Sequence, residues 1–258
     1  MNQQNMPIAV FDSGLGGISV LKELVRLMPR ENYIYYGDSK NAPYGTKSIR
    51  EVCDLTLANI DFLIKKKTAK AIVVACNTAT SAAVAILRET HPFMPIIGIE
   101  PAIKPAVMEK LHGRILVLAT EMTLREQKFS LLVEKYRDCG EIITLAAPGI
   151  VELVEKGLTE GPELDHYLEK LLEPYRQQPI DAIVLGCTHF PFVNGGIRKT
   201  LGYDVTIYDG SLGTAKEAER QLILRDLANP DGNPGKIEFF NSRGDRKILV
   251  LCEKLLHA

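Results

Sequence analysis

One run of apolar residues ending in cysteine occurs twice in this chain. Ala71-Ile-Val-Val-Ala-Cys76 matches Ala182-Ile-Val-Leu-Gly-Cys187 at a distance of 111 residues. A weaker copy of the same relation links Ile8-Ala-Val-Phe-Asp-Ser13 to Ile115-Leu-Val-Leu-Ala-Thr120, 107 residues apart. Unbroken apolar runs of this length mark strands buried on both faces, as in parallel sheets covered by helices. The repeat therefore predicts two similar α/β halves. Each presents a cysteine at the C-terminal end of a strand, where the chain turns into a helix or turn. In open α/β sheets ligands bind at that edge. Two halves facing one another would put the cysteines on opposite walls of one cleft, and ligands favour such interfaces.

The rest of the chain keeps the alternation. In the first half, strands are expected at Ile8–Phe11, Tyr33–Tyr36, Ala69–Ala75 and Ile96–Ile99. Helical spacing runs through Ile18, Leu21, Val25 and Met28, then over Val52–Ile64 and Thr78–Leu87. In the second half, strands are expected at Ile115–Ala119, Ile142–Leu145, Ala182–Gly186 and Val205–Tyr208. Helices are expected at Leu124–Tyr136, Ile150–Glu155 and Leu164–Tyr175, with Thr214–Leu227 and Lys247–Leu256 closing the chain. Asn229-Pro-Asp-Gly-Asn-Pro-Gly235 reads as a turn-rich connection. The fold class is α/β with mostly parallel sheets in two similar domains. The expected division is 1–100 with 210–258, the C-terminal segment completing the first domain, and 101–209.

Bulk properties narrow the function. A chain of 258 residues builds its core without disulfide or metal staples. Its 31 Lys and Arg balance 32 Asp and Glu, for a net charge of -1, so no basic field recruits nucleic acid. The run Lys65-Lys66-Lys67 suits a helix C-terminus. No stretch reaches the ~18 apolar residues of a membrane span. The polar start, Met1 to Pro7, carries no Lys or Arg and is not expected to be a signal peptide. A cytoplasmic protein with no membrane partner is expected. The five cysteines include no CxxC pair, so free thiols are expected: buried hydrophobes or working groups.

Cys76 precedes Asn77 and Thr78, and Cys187 precedes Thr188 and His189. A helix N-terminus favours a thiolate. Cys53, Cys139 and Cys252 lack such flanks and read as structural. Paired, flanked thiols suit inversion of an amino acid at its α-carbon: one thiolate removes the proton and the opposing thiol returns one to the other face. The developing carbanion needs hydrogen-bond donors at its carboxylate. Asp12-Ser13-Gly14-Leu15-Gly16-Gly17 fails as a dinucleotide loop because position 19 is Ser19, and no Gly-Lys-Ser/Thr follows. It remains a tight turn that offers amides to an anion. Asp12 there either assists a nearby group or caps the helix. Gly37-Asp38-Ser39-Lys40-Asn41-Ala42-Pro43-Tyr44-Gly45-Thr46 is a polar loop at the same edge.

Other chemistries meet obstacles. Cys-x5-Arg phosphatase chemistry finds Ala82 and Val193 where arginine is required. Zinc needs about four ligands, and Cys187 with His189 supplies two. A cysteine–histidine hydrolase stays open, but sequence neighbours need not face each other, and this reading leaves Cys76 without a task. His91, His112, His166 and His257 stand outside any motif.

Four motifs together resemble the glutamate racemases, within the aspartate/glutamate racemase superfamily. They are Phe11-Asp-Ser-Gly-Leu-Gly-Gly17, Tyr36-Gly-Asp-Ser-Lys-Asn-Ala-Pro-Tyr-Gly45, Ala75-Cys-Asn-Thr-Ala-Thr80 and Leu185-Gly-Cys-Thr-His-Phe-Pro191. The resemblance covers nearly the whole chain in order. It implies two similar domains with the active site between them, no cofactor (neither pyridoxal phosphate nor metal), and glutamate as substrate. Cys76 would act on D-glutamate and Cys187 on L-glutamate. Asp12 would assist Cys76; His189 and Glu155 would assist Cys187. Asp12, Ser13, Tyr44, Gly45, Asn77, Thr78, Thr188 and His189 would line the substrate site. The product would supply peptidoglycan synthesis in a bacterium.

The sequence departs from the family's usual pattern at Ala119-Thr120, at Ala147-Pro148 and at Glu152, none of which removes a catalytic group. A homodimer is expected, since dimers are the commonest oligomers. The alternatives are a racemase of aspartate or a related acid, and a binding protein that has kept the fold without the chemistry.

Overall fold

The computed structural model describes residues 3–230 and 232–258. Met1 and Asn2 of the polar start, and Asp231 within the turn-rich connection, lie outside the described residues. The chain opens β1 (Ile8–Asp12), α1 (Ile18–Leu27), β2 (Tyr33–Gly37), α2 (Ile49–Lys67), β3 (Ala71–Val74), α3 (Asn77–Thr90) and β4 (Ile96–Gly98). It continues α4 (Ile103–Glu109), β5 (Arg114–Ala119), α5 (Glu121–Arg125), α6 (Gln127–Tyr136), β6 (Glu141–Ala146), α7 (Pro148–Glu155) and α8 (Pro162–Gln177). Then come β7 (Ala182–Leu185), α9 (Asn194–Leu201), β8 (Thr206–Asp209), α10 (Ser211–Leu224), β9 (Ile237–Asn241) and α11 (Arg246–His257).

Two compact units result, Met1–Glu100 with Ser211–Ala258, and Pro101–Gly210. The first holds a five-stranded sheet of order β4-β3-β1-β2-β9, the second a four-stranded sheet of order β6-β5-β7-β8. Every strand pair in both is parallel. β1 corresponds to β5, β3 to β7, β2 to β6 and β4 to β8; β9 is an addition to the first sheet.

The sequence repeat is also a repeat of hydrogen bonds. Ala75 N–H donates to Phe11 O at 2.7 Å, and Gly186 N–H donates to Leu118 O at 2.7 Å. These bonds lie just beyond β3 and β7, and they hold Cys76 and Cys187 at equivalent places. The strands themselves are buried throughout β1, β3 and β7, as the apolar runs require. Each fully buried Val, Ile or Leu there contributes about 1.5–3 kcal/mol.

Local rules explain most boundaries. Ser48 accepts from Glu51 N–H at 3.2 Å and starts α2, which ends with Lys65, Lys66 and Lys67 in its last turn. The expected continuous helix Leu124–Tyr136 is instead two: it breaks at Glu126, whose extended backbone (φ -76°, ψ 139°) both ends α5 and precedes α6. Thr120 caps α5, accepting from Thr123 N–H at 3.3 Å. Three elements were not anticipated: α4, α9 and the edge strand β9. α4 and α9 are short, and β9 pairs with β2, more than two hundred residues earlier. No helix among the described residues is long and apolar enough to cross a membrane.

Candidate active site

In the first unit the C-terminal ends of β1, β2 and β3 converge. Asp12 is level with Gly37, and Phe11 with Val74. The glycine-rich turn after β1 is shaped by packing. A Cβ on Gly17 would stand 2.7 Å from Asp12 Cβ and 3.0 Å from Ala75 Cβ. One on Gly37 would stand 2.5 Å from Gly14 O. Side chains at 17 and 37 would thus drive α1 and the turn off the strand ends. Asp12 is fully buried, and its Oδ1 accepts from Gly14 N–H at 2.7 Å. The N-cap of α1 is Gly17, with no side-chain cap, so Asp12 pins the turn rather than the helix.

Cys76 is buried at the N-cap of α3 in extended conformation (φ -121°, ψ 121°), and its carbonyl accepts from Thr80 N–H at 2.8 Å. Ser13 Oγ lies 3.5 Å from Cys76 Sγ. Asn77 and Thr78 are buried in the first turn of α3, and Asn77 Oδ1 has no hydrogen-bond partner. Tyr44 and Gly45 lie in a short 3-10 turn, Tyr44–Thr46, after a cis Ala42–Pro43 bond. The Tyr44 ring is buried, and its hydroxyl donates to Asp38 Oδ2 at 2.7 Å. Burial, the bond to Asp38, and the charges of Asp38 and Cys76 push the phenol far above its ordinary range, so it stays a neutral donor.

The second unit builds the corresponding corner differently. Cys187, also buried, is followed by Thr188, also buried, and a 3-10 turn, Phe190–Val193, before α9 begins. Cys187 Sγ lies 3.6 Å from His189 Nδ1, and His189 Nε2 lies 2.7 Å from Glu155 Oε1 at the end of α7. Cys187 and His189, two residues apart, therefore do face each other. Burial alone would lower the imidazole pKa. The hydrogen bonds to Cys187 and Glu155, with their charges, outweigh it and hold His189 well above its ordinary 6.5. Thiol, imidazole and carboxylate form one relay.

The sequence-predicted residues thus assemble in two groups: Asp12, Ser13, Tyr44, Gly45, Cys76, Asn77 and Thr78 in the first unit, and Glu155, Cys187, Thr188 and His189 in the second. Thr120 was not among them. It follows β5 as Ser13 follows β1, and its hydroxyl pairs with Thr123 Oγ1 at 3.0 Å. The 107-residue repeat already aligned it with Ser13. Asp38 and Asn59, which hold the Tyr44 loop, were also missed; a single polar residue in a loop or on a helix face carries no sequence signal of its partner. Among the described residues, no group of three or more His, Cys, Asp or Glu side chains is placed to hold a metal ion. Cys53 and Cys139 are half-buried, and Cys252 is buried; none of the three is in a disulfide.

Comparison with known proteins places these corners in context. The family model described as Asp/Glu/Hydantoin racemase matches residues 8–218. A glutamate racemase of Clostridium acetobutylicum is 52% identical over 256 residues, 99% of each chain. One from Clostridium botulinum is 47% identical over 258 residues, 100% of each chain. The crystal structure of the Francisella tularensis glutamate racemase in complex with D-glutamate superposes with a TM-score of 0.83 at 30% identity, over 99% of this chain and 95% of that one.

Proposed function

Since the chain belongs to the Asp/Glu/Hydantoin racemase family, we propose that it interconverts L- and D-glutamate by two-base chemistry without a cofactor. The observation that carries this reading is the pair of equivalent strand ends, each with a buried cysteine and its own proton-handling neighbours. Full-length similarity to glutamate racemases supports glutamate as the substrate.

From D-glutamate, the Cys76 thiolate takes the α-proton and becomes a thiol. The Cys187 thiol gives a proton to the opposite face and becomes a thiolate, leaving L-glutamate. The reverse reaction starts from that state and restores the first. His189, protonated between Cys187 and Glu155, stabilises the Cys187 thiolate. Asp12 and Ser13 assist Cys76. Asn77, Thr78, Thr188, Tyr44 and Gly45 supply amide and hydroxyl contacts to an anion with two carboxylates. D-glutamate made this way would serve peptidoglycan synthesis. The protein works in the cytoplasm as a homodimer, a state that light scattering on the purified chain tests.

A hydrolase reading draws on the Cys187–His189–Glu155 relay, which is the arrangement of an activated nucleophile. It leaves Cys76 and its neighbours idle. The test is circular dichroism of the reduced protein with L-glutamate, chelator present and pyridoxal phosphate absent. Decay of the signal to zero is expected. A flat trace from folded protein sinks the glutamate assignment; parallel runs with L-aspartate and an activated ester separate the alternatives.

A further inference from the structure

The loop that carries Tyr44 and Gly45 is organised around one buried carboxylate. Asp38 is 1% exposed. Its backbone N–H donates to Asp12 O at 2.9 Å, tying the loop to the end of β1. Its side chain accepts from Tyr44 Oη at 2.7 Å, from Asn41 Nδ2 at 3.0 and 3.1 Å, and from Asn59 Nδ2 at 3.1 Å. These side-chain donors are neutral, so hydrogen bonds rather than a counter-ion compensate the buried charge. Tyr44 and Asn41 belong to the loop itself. Asn59 comes from α2, where its amide also donates to Leu55 O at 2.9 Å. Both of its amide hydrogens are engaged, which fixes its orientation. The turn that carries Tyr44 packs against α3, whose N-cap is Cys76.

We propose that Asn59 is a positioning residue for substrate binding: through Asp38 it anchors the loop to α2 and so holds Tyr44 and Gly45 in place beside Cys76. This rests on the reading that Tyr44 and Gly45 meet the substrate. Asn59 touches no reacting atom, so its loss weakens binding and spares the proton transfers. A helix residue that merely filled space would give no such split.

The test uses the full chain with Asn59→Leu, Asn59→Asp, Asp38→Asn, and the double variant Asp38→Asn with Asn59→Leu. In Asn59→Leu, amide hydrogen exchange across 38–47 is expected to quicken, and KM for glutamate to rise about tenfold in both directions, the scale of one hydrogen bond to a charged acceptor. Turnover is expected to stay within about twofold. Asn59→Asp sets two carboxylates face to face and is expected to be worse. If Asn59 acts through Asp38, the two losses do not add, and Asn59→Leu is expected to cost no more than about twofold further in the Asp38→Asn background. Exchange rates and KM at parent values in Asn59→Leu would overturn the proposal, as would losses that add in full in the double variant. Loop exchange reads out without turnover, so it decides the anchoring even if the parent protein fails to racemise glutamate. That failure would count against the glutamate reading alone.

Discussion

The two cysteine corners begin from one template and end with different chemistry. Both thiols sit one residue beyond a bond from a central-strand neighbour, Ala75 to Phe11 in one sheet and Gly186 to Leu118 in the other, each 2.7 Å. Past that point they diverge. At Cys76 an α-helix starts at once, with a serine hydroxyl 3.5 Å from the sulfur. At Cys187 a 3-10 turn intervenes, which brings His189 to 3.6 Å and allows Glu155 to reach the far ring nitrogen. The backbone repeat supplies two equivalent places for a cysteine. The residues after each cysteine decide which polar groups its thiol faces. Under the proposed reaction, L- and D-glutamate have equal free energy in water, so kcat/KM must be the same in both directions for every variant. The asymmetry of the corners therefore shows in kcat and KM taken separately.

The strongest way to break the comparison is to remove a thiol. Cys76→Ala and Cys187→Ala are each expected to lower racemisation at least about a thousandfold, followed by circular dichroism. Each should still eliminate a leaving group from a suitable glutamate analogue, for which one base suffices. Racemisation at the parent rate in either variant would end the two-base assignment. Next, His189→Asn is expected to cost about a hundredfold in kcat, since it cuts the relay at its centre. Asp12→Asn should cost less, about tenfold, because the amide oxygen can still accept from Gly14 and hold the turn.

Glu155→Gln tests how the second corner is charged. His189 has a raised pKa, so its contribution to stability is fully present below 6.5 and lost as pH rises through the raised value. Removing the Glu155 charge brings that loss to lower pH. The alkaline limb of kcat with D-glutamate, the direction in which Cys187 is the acid, should move the same way, and an imidazole titration by NMR checks the shift directly. An unmoved limb would mean that His189 does not govern Cys187.

The smallest effect concerns a group in the same unit that would otherwise confuse that titration. Burial raises Glu126, at the break between α5 and α6, to about 7. Its folded form holds a proton that the unfolded chain releases near the ordinary 4.5, so stability falls as pH rises through 7. Glu126→Gln is expected to add about 1–2 kcal/mol at pH 8 and little near pH 4, with the activity limb unchanged. Denaturant melts at the two pH values measure it. No gain at pH 8 would show that the carboxyl is not titrating in a buried site.

What the sequence alone determined was whatever depends on short-range periodicity and on repetition. The apolar runs ending in Cys76 and Cys187 announced buried parallel strands. Their repetition announced two similar sheets; the polar residues beside each thiol named part of the candidate site, and the family resemblance named Asp12, Ser13, Tyr44, Gly45 and Glu155. Tertiary structure decided what depends on partners far apart in the chain. β9 is a weak strand by pattern, and pairing with β2 makes it one. Glu126 splits a helix that periodicity would have drawn unbroken, because its backbone is extended there. His189 faces Cys187 because a 3-10 turn follows the cysteine, and Glu155 meets His189 across 34 residues. Asn59 finds Asp38 across 21 residues from another helix. Apolar burial is non-directional and is read from the pattern of residue types, whereas a hydrogen bond between distant side chains is directional and exists only once the chain has brought both ends together.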